Sequence, residues 1–259
     1  MKVLVLQVRI GSSDLNALHG VGYNTWQKFE QDVCMPSVVK WADKNNYDYK
    51  LVTHSSISNL DFFPTNNHRY AAERLMHFNF TKYDYLIYID SDIFIMNSAP
   101  EFNLIPGLSI AKENSGIPVD GTQKESEWMV GRYTKYLKAF RKAYYNSGVL
   151  CMDKETGANI YKFFINKLLE GDNTDIQFAD QDIINQWIVH NKCNILDQKW
   201  NHFARNYMCV PFHDKDFLKK NQNYIQTANF TNMDQSYFIH FLGESKFFCR
   251  EIFKKIKHR

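Results

Sequence analysis

No stretch of this 259-residue sequence approaches the roughly 18 consecutive apolar residues that a membrane span needs. Its first apolar run, Val3 to Leu6, is also too short for the core of a secretion signal, so the expectation is a cytoplasmic protein. Cysteine is sparse and scattered: Cys34, Cys151, Cys193, Cys209 and Cys249 lie far apart, with no Cys-x-x-Cys pair. That pattern argues against a disulfide framework or a zinc site and reads as reduced thiols. A strong charge of one sign is missing too. The formal net charge of +3 is small and evenly spread, which offers no basic face for nucleic acid. Glycine is scarce where a triphosphate cradle would sit, since Leu6 to Ser13 holds only Gly11. A nucleotidyltransferase needs such a Gly-rich loop after its first strand, so that reading ranks low. No internal repeat, low-complexity linker or shift in composition divides the chain, and one domain over residues 1–259 is expected.

What is present is ordinary in bulk and informative in detail. Hydrophobic residues make up 44% and charged residues 23%, as in folded globular chains. Aromatics reach 15%, enough both to fill a core and to line a site for sugar faces or bases. Val3-Leu4-Val5-Leu6-Gln7-Val8 reads as a strand buried on both faces. A helical pattern follows over about 24–45, a strand over 49–53, a helix over 69–78 and a second buried strand over 85–89. Apolar sequence resumes at 148–152, with helices predicted over 157–170 and 180–190. The alternation predicts an α/β fold with a mostly parallel central sheet flanked by helices. The polar, then aromatic and basic stretch over 112–143 reads as an insertion or lid over a site, with Trp128 to Tyr145 as the surface that would meet an acceptor.

Four short motifs carry candidate chemistry. In Tyr88-Ile89-Asp90-Ser91-Asp92, two carboxylates two residues apart close a buried strand and project to one side. Placed there without a cation they would be costly, and a hard divalent metal removes that cost while leaving positions open for phosphate. Ligands of open α/β sheets collect beyond the carboxyl ends of strands, where this motif sits. A bare Asp-x-Asp also occurs as a solvated turn. In Phe238-Ile239-His240-Phe241-Leu242-Gly243-Glu244-Ser245-Lys246, a neutral imidazole can join the same metal. Gly243 admits close backbone approach there, and Lys246 can neutralise a phosphate. Standing alone, His240 is more often a buried, hydrogen-bonded core histidine. Tyr145-Asn146-Ser147-Gly148 offers an amide to sugar hydroxyls, or is simply a turn. Ala179-Asp180-Gln181-Asp182 opens a helix, where Asp180 is either a site residue or an N-cap and Asp182 is turned away from it.

In this order, Asp-x-Asp, Asn-Ser-Gly-Val, Asp-Gln-Asp and His-x-x-Gly-x-x-Lys, the set resembles glycosyltransferase family 8 over roughly residues 1–246. The resemblance implies the GT-A fold, a Rossmann-like nucleotide-diphospho-sugar transferase architecture, and a UDP-sugar donor held with Mn²⁺ or Mg²⁺. Asp90, Asp92 and His240 then match the metal ligands, and Gly243 and Lys246 the grip on the diphosphate. Arg74 matches the basic residue that contacts donor phosphate or sugar. Asn146 and Asp180 match donor-sugar hydroxyl contacts, and Val8 and Ser91 complete the donor set. Gln181 matches the residue near the anomeric carbon, opposite the leaving group. Together with Asp180 it makes the catalytic pair. Two positions depart from the family: Val8-Arg9-Ile10-Gly11-Ser12 replaces its acidic or Asn-rich loop, and Phe247-Phe248 replaces a Pro-Trp.

The resemblance also implies retention of anomeric configuration and a glycan or glycoconjugate acceptor. With no evident carboxylate nucleophile, front-face attack with the leaving phosphate as base is the expected route. An aspartate-nucleophile phosphatase is disfavoured, because the Asp-x-Asp lies mid-chain and is followed by Ile93-Phe94. A non-catalytic nucleotide-sugar-binding protein remains the alternative. The end of the chain, 246–259, reads as a basic amphipathic helix that either packs on the domain or touches an anionic membrane surface.

Overall fold

A computed structural model describes residues 1–10, 22–57, 62–63, 66–113, 132–204, 236–241, 249–250 and 253–254. In chain order its elements are β1 (Val3–Val8), α1 (Gly22–Phe29), a π-helical turn (Glu30–Cys34), α2 (Met35–Lys44) and β2 (Asp48–Val52). Next come α3 (Asn66–Met76), β3 (Tyr85–Ile89), β4 (Ile93–Ile95), β5 (Leu108–Lys112), α4 (Leu137–Phe140) and β6 (Tyr145–Asp153). The series closes with α5 (Lys154–Glu170), α6 (Asp180–Ile188), β7 (Cys193–Leu196), a 3-10 turn (Gln198–Trp200), β8 (His202–Phe203) and β9 (Phe238–His240).

The chain forms two compact units. The first comprises Met1–Ser12, Ala42–Asp90 and Glu101–Leu196, and holds a six-stranded sheet in the order β2-β1-β3-β6-β5-β7. β1 runs parallel to β2 and β3, and β5 runs parallel to β7, whereas β6 is antiparallel to both β3 and β5. The apolar run that predicted β1 is buried on both faces, with Val5 and Leu6 inaccessible to solvent. Each such side chain contributes about 1.5–3 kcal/mol on burial. Ala72 and Leu75 of α3, Ile160 and Phe164 of α5, and Ile183, Ile184 and Trp187 of α6 pack with the strands into one core.

Helix α5 begins three residues earlier than its apolar spacing suggests. The Asp153 carboxylate accepts from the Thr156 amide at 2.9 Å and caps the helix there. Gly157, read from sequence as the boundary, lies inside the helix instead. A Cβ at this position would stand 2.5 Å from the Phe78 carbonyl oxygen, so the glycine permits a close approach rather than a turn. Gly171 ends the helix in the left-handed region, φ 66°.

The second unit comprises Ser13–Trp41, Ser91–Pro100 and Asp197–Arg259. Its three-stranded sheet has the order β4-β9-β8, with β4 antiparallel and β8 parallel to β9. Aromatic rings supply its packing: Phe29 meets Phe241 and Phe253 edge-on at 5.2 and 5.6 Å, and Trp41 meets Phe238 at 5.2 Å. The single helix expected over 24–45 is divided by the π-helical turn, and strands β4, β5 and β7 were not anticipated. Of the expected insertion over 112–143, residues 114–131 lie outside the described residues, as does most of the expected C-terminal helix. Among the described residues no helix is long and apolar enough to cross a membrane.

Candidate active site

At the carboxyl end of β3, Asp90 is held from three sides within the first unit. Its amide donates to Gly148 O at 2.8 Å, and its carbonyl accepts from Gln7 Nε2 at 3.1 Å. Gln7 is the one polar side chain of β1; it is fully buried and accepts from the Tyr49 hydroxyl at 2.8 Å. The Asp90 carboxylate receives the Tyr88 hydroxyl at 2.6 Å and the Arg74 guanidinium at 2.8 Å, both on Oδ1.

Arg74, in the last turn of α3, is 7% exposed. A buried guanidinium must have its donors met. Nη2 faces Asp90, while Nη1 donates to Ser147 O at 3.0 Å and lies 3.2 Å from Asp180 Oδ2. Nε donates to Ala71 O, and the group stacks 4.2 Å over the Tyr88 ring. Burial pushes the Asp180 carboxyl up to about 7; Arg74 opposes the shift and the charge of Asp90 adds to it.

Gln181 completes the cluster. Its Oε1 accepts from Asn146 Nδ2 at 3.0 Å and from the Ser147 amide at 3.2 Å. Asn146 Nδ2 also donates to Glu113 at 2.9 Å, and its Oδ1 accepts from the Gly148 amide. Asp180 is the first residue of α6 rather than its N-cap; that position belongs to Ala179, a non-glycine residue at φ 46°, ψ −113°. Such a conformation costs about 1–3 kcal/mol and persists only where surroundings enforce it.

In the second unit, Asp92 Oδ1 lies 3.0 Å from His240 Nε2. The other ring nitrogen, Nδ1, is 2.9 Å from Asn201 Oδ1, and Phe203 packs edge-on against the imidazole at 5.6 Å. An amide oxygen only accepts, so Nδ1 carries the proton and, in the neutral ring, Nε2 presents a lone pair toward a carboxylate. Two acceptors so placed suit a shared cation, and orientation of the ligating ring by an outer hydrogen bond is usual for metal-binding histidines. Asp90, two residues ahead of Asp92 on the chain, follows the last residue of β3 in the first unit. The Ser91 hydroxyl donates to the buried carboxylate of Glu30 in the π-helical turn.

The first unit thus gathers Arg74, Asp90, Asn146, Asp180 and Gln181, with Val8 closing β1, and the second holds Ser91, Asp92 and His240. Gly243 and Lys246 lie outside the described residues. The sequence assigns no role to Gln7, Tyr88, Glu113, Ser147 or Asn201, although a glutamine inside an apolar strand is a usable signal.

Solved structures share this architecture. A glycosyltransferase involved in glycosylating the major capsid of PBCV-1 is 10% identical at TM-score 0.50, with each chain fully covered. Galactosyltransferase LgtC, in complex with donor and acceptor sugar analogues, is 15% identical at TM-score 0.54, over 93% of this chain and 87% of that one. The glycosyltransferase GlyE of Streptococcus pneumoniae TIGR4 is 14% identical at TM-score 0.51, over 95% of this chain but 55% of its own. No curated protein sequence matches the chain at a significant level. The six-stranded, mostly parallel sheet flanked by helices is the GT-A glycosyltransferase fold. The sequence pattern of glycosyl transferase family 8 covers residues 23–250, and the chain belongs to that family.

Proposed function

We propose that this glycosyltransferase moves a hexose or deoxyhexose from a UDP-sugar to a hydroxyl of a glycan or other glycoconjugate, with retention of anomeric configuration. Asp90, Asp92 and His240 would hold a divalent cation, Mn²⁺ or Mg²⁺. The observation that carries this reading is the Asp92 carboxylate beside an oriented His240 imidazole, in a motif whose other carboxylate, Asp90, follows a sheet strand at its carboxyl end. When bound, such a cation neutralises the charge that grows on a departing nucleoside diphosphate.

The chain's own residues do the rest. Arg74 fixes one oxygen of Asp90 and so sets the orientation of that carboxylate. Neither Asp180 nor Gln181 is disposed as a nucleophile, because Arg74 faces the first and Asn146 with Ser147 occupies the oxygen of the second. Front-face attack, with the leaving phosphate taking the acceptor proton, is the route this leaves. Lys246 would add a fixed positive charge for the diphosphate. Residues 1–259 are proposed to act as one catalytic domain, in the cytoplasm.

Calorimetric titration of UDP with and without Mn²⁺, on the wild type and on Asp92→Ala, tests the reading. UDP affinity should require the metal and fall by at least about tenfold in the variant. Equal binding without metal, or an unaffected variant, would refute the metal assignment. No binding of UDP under any condition would refute the donor. Hydrolysis or transfer of UDP-glucose or UDP-galactose separates an enzyme from a non-catalytic binding protein.

A further inference from the structure

We infer that Asp182 is a positioning residue for the transfer step: its carboxylate holds the turn 177–179 in the shape that aims Asp180 and Gln181. The inference rests on the function proposed above and names how that site keeps its geometry. Asp182 is fully buried on α6, two residues after Asp180, and points away from the Arg74 cluster into a separate set of donors. Its Oδ2 accepts from the amides of Gln177 and Phe178, both at 2.5 Å. Its Oδ1 accepts from the hydroxyls of Tyr133 at 2.7 Å and Tyr144 at 2.5 Å.

Helix capping alone does not call for this arrangement. An acidic residue at the third helical position ordinarily reaches back to the N-cap amide, as one half of a reciprocal pair. Here the N-cap is Ala179, which has no side-chain acceptor to return the favour. The carboxylate instead takes the two amides before the cap, so the chain must reverse at Ala179. That residue is 1% exposed at positive φ and has no glycine-like freedom to adopt the conformation unaided. The reversal delivers Asp180 to Arg74 and Gln181 Oε1 to Asn146 and Ser147.

The tyrosines tie in the opposite wall. Tyr144 lies two residues before Asn146, and Tyr133 packs with Tyr136, Phe140 and Tyr144 in a small aromatic cluster of its own. One carboxylate therefore fixes both the segment that leads into Asn146 and the turn that leads into Gln181. A full set of four bonds on a buried carboxyl group makes that geometry stiff, because any rotation leaves a donor unmatched.

Asp182→Asn keeps the size and exchanges one acceptor oxygen for an NH₂ that confronts a pair of donors. Tyr133→Phe and Tyr144→Phe each remove one hydroxyl and keep the ring. The wild type and all three variants would be compared by hydrolysis of UDP-glucose and UDP-galactose, by the Kd for UDP with Mn²⁺, and by the nitrogen-15 resonance of the Gln181 side-chain amide. We expect kcat to fall by about 10- to 100-fold in Asp182→Asn, with UDP Kd held within about twofold, and smaller losses in the tyrosine variants. The Gln181 resonance should move in every variant, with or without nucleotide. An unchanged kcat, or kcat and UDP affinity falling in parallel with the folded fraction, would overturn the inference. If Asp182→Asn does not fold, the tyrosine variants decide. A wild type that neither binds UDP nor hydrolyses either sugar nucleotide would overturn the proposed function instead. The inference would then stand or fall on the Gln181 resonance, and an unmoved signal would overturn it.

Discussion

Replacing Arg74 with methionine removes the cation that faces both the Asp90 and Asp180 carboxylates and keeps an apolar stem of similar length. Asp180 Oδ2 lies 3.2 Å from the guanidinium, and at an effective dielectric constant of about 20 that pair is worth about 5 kcal/mol of Coulomb energy. The partner at 2.8 Å, Asp90, is of similar size, and stacking on Tyr88 at 4.2 Å adds about 1–2 kcal/mol. Desolvation of all three groups offsets much of the sum, and breaking such a buried pair typically costs about 3–5 kcal/mol. We therefore expect Arg74→Met to lose about 4 kcal/mol of unfolding free energy at pH 7.5, measured by urea denaturation followed through tryptophan fluorescence. In an Asp180→Asn background the same substitution should cost about 2 kcal/mol less, since the Arg74–Asp180 pair is already gone. A coupling energy below about 0.5 kcal/mol would refute the claim that Arg74 and Asp180 are held as a pair.

Gly157→Ala should lower stability by about 1–3 kcal/mol, because its methyl would meet the Phe78 carbonyl at 2.5 Å and the Phe80 ring at 2.7 Å. The gain in helix propensity of about 1 kcal/mol opposes this, so a raised Tm would show that α5 can shift away from Phe78. Asp172 has its carboxyl lowered to about 2 by its bond to Lys167 at 2.7 Å, with burial opposing and Thr174 assisting. A folded pKa below the unfolded one stabilises above about pH 4 and is lost as the pH falls toward 2. With the Asp172 side chain 30% exposed, screening leaves about 1 kcal/mol, so Asp172→Asn should trail the wild type by that amount at pH 7 and match it near pH 2. A gap that stays constant across the range would contradict the pairing.

Strand β3 was legible to the residue, Tyr85–Ile89, because five consecutive apolar side chains fit no amphipathic helix and an Asp-x-Asp marks where burial stops. The last two helices were legible for the complementary reason, an apolar face at helical spacing. β5 and β7 were not: Ser109 interrupts the short apolar run of β5, and the four residues of β7 are part-exposed at the sheet edge. The start of α5 was misplaced because glycine normally signals a helix boundary, and only three-dimensional packing reveals that position 157, against the Phe78 carbonyl, needs a residue without a Cβ. The site divides the same way. Asp90, Asp92, Asn146, Asp180 and His240 stood out as polar residues at the ends of apolar segments. Their supports did not: Gln7, Glu113 and Asn201 lie 83, 33 and 39 positions from the groups they hold, distances that no local pattern spans.

The reversed direction of β6 bears on how such a chain can diversify. β3 delivers Asp90 as the backbone leaves the sheet, while β6, paired antiparallel with it from Ile89 opposite Val149, presents Asn146 and Ser147 as the backbone comes back in. Both events happen at one end of the sheet, joined by the bond from the Asp90 amide to Gly148. The ladder between β3 and β6 thus sets the alignment of Asp90 against Asn146 and Ser147, and β5 holds the far side of β6 in the same sheet. A change of loop length between β3 and β6 that leaves β5 paired would therefore keep Asp90 aligned with Gly148.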